Sequence, residues 1–401
     1  MNPEEIRLLD GDFYAGDPYP TYAWLREHSP VHRDEVHGIW GVSRFADVIA
    51  VEKNAGLYSS ASGSRPRVDG DPSMINTDDP HHNGRRRLVS ERFTPRAVLS
   101  HEAEVRAHVT ELLDAIVAKG ECEVVEELAA PLPAMVINRW LGFPHEMWPK
   151  CKEWSELTMW AGGQHAPDGA MDFGAGGAVA GQAVQEFAQE ILALAAQRRE
   201  EPRDDLVSVW ANARPEGEPL DDANLIAEAL LVLDGGAETT RSVIATTVMN
   251  LIDFPDERAK LAADPSPARM KVAVEEFIRY VTPILNMRRT ATATHQLQGQ
   301  TIREGDELLL MYSSANRDPA HFDEPDRYDV GRKRNQHLAF GFGTHFCLGA
   351  SVARMELRIL FEELLRRIPE FEFAPGPRPE FVPSCFTRAP KSVRIEFAPA
   401  G

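Results

Sequence analysis

The sequence predicts a mainly α-helical protein with a minor β part, organised around one long helix near its middle. Three observations carry that expectation. Apolar residues recur at three-to-four spacing through much of the first half, as in HVTELLDAIVAKG and VQEFAQEILALAAQRRE, the period of a helix with one buried face. The stretch from Asp221 to Leu251 is hydrophobic nearly all round after an acidic start, which suits a buried central helix. Strand-like runs are few and sit late in the chain, near TATATHQLQGQTI and ELLLMYSS.

Taken in order, the chain reads as mostly helical from about Thr21 to Glu201, with Gly120 as a helix stop. Two Gly-, Pro-, Ser- and Asp-rich segments, SSASGSRPRVDGDPS and AGGQHAPDGAMDFGAGG, read as loops, either plain surface or covers over a pocket. The long helix follows, then a shorter one over roughly Pro267 to Tyr280, the strand-like pieces, a glycine-rich loop around Cys347, a further helix and an irregular end with short strands. No repeat and no long linker divides residues 1–401, so one domain is expected.

With 43% apolar and 26% charged residues the composition is that of a globular protein, not a disordered one. A net charge of -19 argues against non-specific binding to nucleic acid or anionic membranes. The opening MNPEEIRLLDGDFY has no basic or apolar leader, and no run is long enough to span a bilayer, so a cytoplasmic protein without membrane insertion is expected. Cys122, Cys151, Cys347 and Cys385 show no paired spacing, which excludes a disulfide framework or a C-x-x-C metal site. Against the acidic average, Arg85, Arg86, Arg87, Arg92 and Arg96 crowd one stretch, and Arg332, Lys333 and Arg334 another.

The most informative stretch is HLAFGFGTHFCLGASVARMELRILFEELLRRI. It sets Phe340, Gly341, Gly343, His345, Cys347 and Gly349 in a loop that runs into an amphipathic helix. A cysteine at a helix N-terminus meets free N–H groups and the positive end of the dipole, which lower its pKa and suit it to a metal or a nucleophilic role. A lone cysteine is otherwise most often a small buried hydrophobe.

Inside the long helix, Gly235, Gly236, Ala237, Glu238, Thr239 and Thr240 interrupt the apolar run. Each interior glycine costs about 1 kcal/mol against alanine, so close approach of something large is expected there. Thr239 can hydrogen-bond the Gly235 carbonyl one turn back and open space for a ligand. Glu276 and Arg279 share a helix face at i and i+3, which alone reads as an ordinary ion pair.

The spacing F-x-x-G-x-H-x-C-x-G-A resembles the haem-binding loop of the cytochrome P-450 superfamily. GGAETT resembles its oxygen-binding segment, Glu276, Arg279 and Arg327 resemble its E-x-x-R and arginine triad, and NRDP at 316 to 319 sits where the family also has it. The resemblance runs from DPYPTYAWLREHSPV to FTRAPKSVRIEF.

It implies the cytochrome P-450 fold with the long central helix over haem b (iron protoporphyrin IX). Cys347 would ligate the iron, Phe340 would pack beside the sulfur, and Gly341, Gly343 and Gly349 would let the backbone approach the macrocycle. His82, Arg86, Arg289 and His345 would hold the propionates, with His81 and the neighbouring arginines as alternatives. Glu238 and Thr239 would relay protons, and Glu276, Arg279 and Arg327 would be structural.

The activity implied is hydroxylation of a lipophilic molecule by dioxygen, with two electrons from a ferredoxin and its NAD(P)H-dependent ferredoxin reductase. The pocket would be walled by Leu231, Asp234, Gly235, Ile284, Leu285 and Phe386, the turn at Cys385, the loop before Asp78 and the segment after Trp160. GGAETTR and NMRRTATA look like actinobacterial enzymes acting on sterols or terpenoids. Rival readings are a haem-thiolate peroxygenase and a non-enzymatic haem-based binding protein. The basic clusters either steer an acidic ferredoxin, through Arg92 and Arg96, or are ordinary surface charge and propionate partners.

Overall fold

The computed structural model describes residues 3–399 apart from 67, 69, 164–174 and 216, with backbone alone at 160–163 and 175–176. Helices dominate the described residues. Those that build the site are α1 (His81–Ser90), α2 (Pro131–Leu141), α3 (Trp148–Gly163), α4 (Ala175–Glu200), α5 (Asp222–Asp253), α6 (Pro267–Val281) and α7 (Ala350–Arg367). None is long and apolar enough to cross a membrane.

The expected long helix is α5, 32 residues or about 48 Å at 1.5 Å per residue. The Asp221 carboxylate caps it by accepting the Asn224 N–H at 2.7 Å, satisfying a donor that the first turn leaves open. It packs on α2, α3, α6 and α7, which accounts for its apolar surface on nearly every side. The two glycines have different reasons. A Cβ on Gly236 would lie 2.4 Å from Ile137 Cδ1 on α2, so two helices touch there, whereas a Cβ on Gly235 would meet nothing within 4 Å. Helix packing thus requires Gly236 but not Gly235, and the helix continues through both.

On α6, Glu276 and Arg279 are fully buried, not the surface pair that their spacing alone suggests. Arg279 donates twice to the Glu276 carboxylate, each at 2.8 Å, and its Nη1 donates to the carbonyls of Asn316 and Pro325, each also at 2.8 Å. The third expected member, Arg327, does not join them. Arg327 is exposed and pairs with Glu324 at 3.1 Å. It gives Arg279 only its backbone carbonyl, because a turn closed by the Arg327 N–H on the Glu324 carbonyl sends its side chain to solvent.

Arg332 takes that place, reaching Glu276 at 3.1 Å, with Asn335 at 3.0 Å and the Asp329 N–H at 2.9 Å. A carboxylate so fully partnered can be buried, where an unpaired one could not. Asn316 ties the network to the cysteine loop by accepting the Leu338 N–H at 2.7 Å.

The main sheet holds β1 (Val31–Asp34), β2 (Ile39–Val42), β3 (Tyr58–Ser59), β4 (Asn286–Ala291) and β5 (Glu307–Met311), in the order β1-β2-β5-β4-β3. β1, β2 and β3 fall in a stretch whose pattern predicts helix. Short apolar runs do not declare their state, and β2 is decided by a distant partner, with Trp40 beside Leu308 and Val42 beside Leu310 in parallel. β4 carries Arg289 to the site. Two smaller sheets join Glu121–Glu123 to chain-end strands, and His295–Leu297 to Gln300–Ile302. Gly120, at φ +76, lies just past the helix that ends at Val117.

Candidate active site

The loop before α7 is shaped by its own backbone. The Phe340 carbonyl accepts the Cys347 N–H at 2.9 Å, and the turn between them needs Gly341 and Gly343 at φ +66 and +69, where a side chain costs roughly 1–2 kcal/mol. A Cβ on Gly343 would also lie 2.8 Å from the Glu52 carbonyl oxygen. The chain then enters α7 at Gly349, so the Cys347 sulfur accepts the N–H groups of Gly349 and Ala350.

Those donors do not make it acidic. Burial pushes the Cys347 thiol up, and the two N–H groups, Arg86 and Arg354 only oppose that push. Desolvation therefore outweighs the helix terminus at this sulfur, opposite to the direction expected from the sequence. A bound metal ion is what would hold this sulfur as thiolate.

Cys347 opens onto a cavity of about 510 Å³. Phe340, Gly341, His345 and Gly349 share its wall with the cysteine, while Leu231, Asp234, Gly235 and Thr239 line it from α5, His82 and Arg86 from α1, and Arg289 from β4. His82 is buried, neither of its ring nitrogens makes a hydrogen bond among the described residues, and its ring centroid is 4.2 Å from that of His345. His81 is exposed. Burial, with Arg289, His82 and Arg86 close by, pushes His345 down to about 2, so its ring is neutral and keeps one N–H to donate.

Arg289 is buried and stands 3.7 Å from Glu52 Oε1. Burial drives that carboxyl up to about 7, and it also accepts from Tyr312. Under-partnered donors around an apolar cavity with one thiol, that of Cys347, fit a flat cofactor that carries carboxylates, and so fit a haem.

Thr239 Oγ1 donates to the Gly235 carbonyl at 2.8 Å, as the sequence predicts. Glu238 does not line the cavity. It accepts from Arg241 at 2.6 Å and from Ser155 at 3.4 Å. Thr240 is directed toward Glu356 of α7, whose carboxyl burial raises to about 8.

Leu231, Asp234, Gly235, Ile284 and Phe386 line the cavity as expected, and Leu285 and Cys385 do not. Leu285 lies in the apolar cluster of Met311 and Tyr22, since neighbours in an extended segment point to opposite sides and Ile284 takes the inward one. The loop before Asp78 supplies Ser64, Arg65, Met74 and Ile75. The glycine-rich segment at 161–177 lies largely outside the described residues, and α4 lines the cavity with Gly177, Ala180, Gly181 and Val184. Arg65, Thr158, Tyr312 and Glu356 also line it, and no local pattern marks them.

The basic clusters divide. Arg92 pairs with Asp204, Arg85 faces Glu228 at 3.6 Å instead of standing in solvent, and Arg332 belongs to the Glu276 network. Arg87, Arg96, Lys333 and Arg334 are exposed.

Fold and site together define a haem-dependent monooxygenase, with haem, iron protoporphyrin IX, as its cofactor. The chain belongs to the cytochrome P450 family. The family profile matches residues 269–397. The steroid C26-monooxygenase of Mycobacterium tuberculosis is 38% identical over 398 residues, covering 99% of this chain and 98% of that protein, and the steroid C26-monooxygenase of Mycolicibacterium smegmatis is 36% identical over 401 residues, covering 99% and 97%. Among solved structures, Mycobacterium marinum cytochrome P450 CYP268A2 in complex with pseudoionone superposes with a TM-score of 0.88 at 31% identity over 99% of each chain. CYP109E1 from Bacillus megaterium in complex with testosterone gives 0.87 at 29% identity, over 96% of this chain and 98% of that one.

Proposed function

We propose that this protein hydroxylates a lipophilic molecule of steroid or terpenoid type, using dioxygen and two electrons delivered by a ferredoxin and its NAD(P)H-dependent reductase, as one cytoplasmic domain over residues 1–401. One observation carries the reading: a single cavity gathers the Cys347 sulfur, the donors His82, Arg86, Arg289 and His345, and the Thr239 hydroxyl. The haem, when bound, supplies the oxidation chemistry.

The chain's own groups do the rest. Cys347 holds the iron, and the N–H groups of Gly349 and Ala350 stabilise its negative charge. Arg86, Arg289, His82 and neutral His345 donate to the propionates. Leu231, Ile284, Met287 and Val243 exclude water and hold the substrate's apolar body.

Because the Thr239 hydroxyl donates to Gly235, its oxygen is left to accept a hydrogen bond inside the cavity. Glu238, buried between α5 and α3 beside Arg241 and Ser155, serves as the end of a proton path away from the cavity. Exposed Phe342 and Phe346 on the cysteine loop, with Lys53 5.5 Å from the Phe342 ring and Arg96 exposed, support docking of an acidic redox protein there.

The test is product formation from testosterone and pseudoionone with NADH, reductase and ferredoxin, against hydrogen peroxide alone. Hydroxylated product only with the electron chain is the expected result. Full-rate turnover on peroxide alone would reverse it.

A further inference from the structure

We propose that Arg65, held by Asp234 and Thr158, is a polar anchor in this cavity that donates hydrogen bonds to a neutral oxygen, a ketone or an alcohol, on an otherwise apolar substrate. The inference rests on the monooxygenase reading and narrows the substrate class of the same site.

Asp234 is 2% exposed and sits immediately before Gly235 on α5. Its Oδ1 accepts from Thr158 Oγ1 at 2.6 Å and its Oδ2 from Arg65 Nη2 at 2.9 Å. All three residues line the cavity, among Met74, Ile75, Leu230 and Ile284. A buried ion pair is generally no better for stability than well-packed apolar side chains of the same volume. The fold therefore has no need of charge at this place, and recognition accounts for it.

A guanidinium carries five donors and no acceptor. Among the described residues, the only side-chain hydrogen bond of Arg65 is the one to Asp234, and its guanidinium carbon lies 5.5 Å from the Phe386 ring centroid. Donors thus remain for a ligand. Asp234 already supplies the counter-charge, so a carboxylate would bring a second negative charge beside it, and an amine would meet Arg65. A neutral oxygen meets neither repulsion.

Position adds a consequence for selectivity. Asp234 precedes Thr239 by five residues, about 7.5 Å along the helix axis. An oxygen held at Arg65 therefore places the oxidised carbon more than one helical turn away, not beside that oxygen.

The experiment titrates the haem-loaded protein with androstane, androstanone and an androstane carboxylic acid, reading the Soret shift. The native protein is expected to bind the ketone at least tenfold more tightly than the hydrocarbon, and more tightly than the acid. Arg65→Leu is expected to lose that preference while still binding androstane. Because that change strands Asp234, the Arg65→Leu, Asp234→Leu double variant is measured beside it, with the carbon monoxide difference band as the check on loading.

Equal binding of ketone and hydrocarbon by the native protein, tighter binding of the acid, or a ketone preference that survives in the double variant overturns the anchor. So does a native protein whose Soret band none of the three ligands moves. A native preparation without a carbon monoxide band fails the monooxygenase reading itself, a distinguishable result.

Discussion

The two walls of the cavity are built on opposite plans. The cysteine loop is held by backbone geometry, with two glycines at positive φ, a carbonyl-to-N–H closure from Phe340 to Cys347, and behind it the Glu276 carboxylate with five donors. The wall from α5 is regular helix, and everything particular about it comes from side chains such as Asp234 and Thr239 and from the loop residues that meet them. An over-determined wall would fix where the iron of a bound haem sits. A wall made of side chains can change what it binds without moving that position, which is how one fold serves many reactions.

The largest effect is expected at the sulfur. Cys347→Ser is expected to abolish the carbon monoxide difference band and all turnover, leaving the fold intact by circular dichroism. A retained band at the native wavelength would contradict the assignment. Next in size, Glu276→Ala leaves Arg279 and Arg332 buried without their carboxylate and is expected to cost about 3–5 kcal/mol, read from urea unfolding together with haem loss. A cost near zero would mean that the network does not hold the loop.

The α5 side has its own acid. Burial drives Glu228 up to about 7 from the ordinary 4.5, so the folded state binds this proton more tightly than the unfolded one. Stability is then greatest below the unfolded value and falls as pH rises from about 4.5 through 7, by about 3 kcal/mol in all at 1.36 kcal/mol per pH unit. Glu228→Gln is expected to remove that part of the slope and to stabilise the protein relative to the native one at about pH 8. An unchanged slope of unfolding free energy against pH would refute it.

Thr239→Ala is expected to lower product formed per electron consumed, with a rate loss of about 10²-fold if the hydroxyl is part of the proton path. The substrate-induced Soret shift should stay as it is. At the small end, Arg327→Ala is expected to leave the urea-unfolding midpoint unchanged, since its side chain is solvated. A large effect there would restore it to the place that Arg332 now holds.

Much of the site is legible without coordinates because its chemistry is carried by short contiguous segments. The order Phe340, Gly341, His345, Cys347, Gly349 fixes which groups share the loop, and all five line the cavity. The hydrogen bond from Thr239 to Gly235 follows from helical spacing alone. Legibility fails wherever a residue's role depends on a partner remote in sequence. Arg332 and Arg327 are equally basic and five residues apart, yet only the path of the loop shows which one faces Glu276. Leu285 and Ile284 are equally apolar, and only the bridge from Ile284 to Thr387 decides which one faces the ligand.

By itself, then, the sequence determined the helical class, the central helix, the cysteine loop and the family to which they point, because each is written in local periodicity or fixed spacing. The tertiary structure alone decided that β2 pairs with a strand from the far end of the chain, that burial outweighs the helix terminus at Cys347, and that Arg65 meets Asp234. Desolvation and long-range pairing depend on what surrounds a group in space, and a linear string does not carry that information.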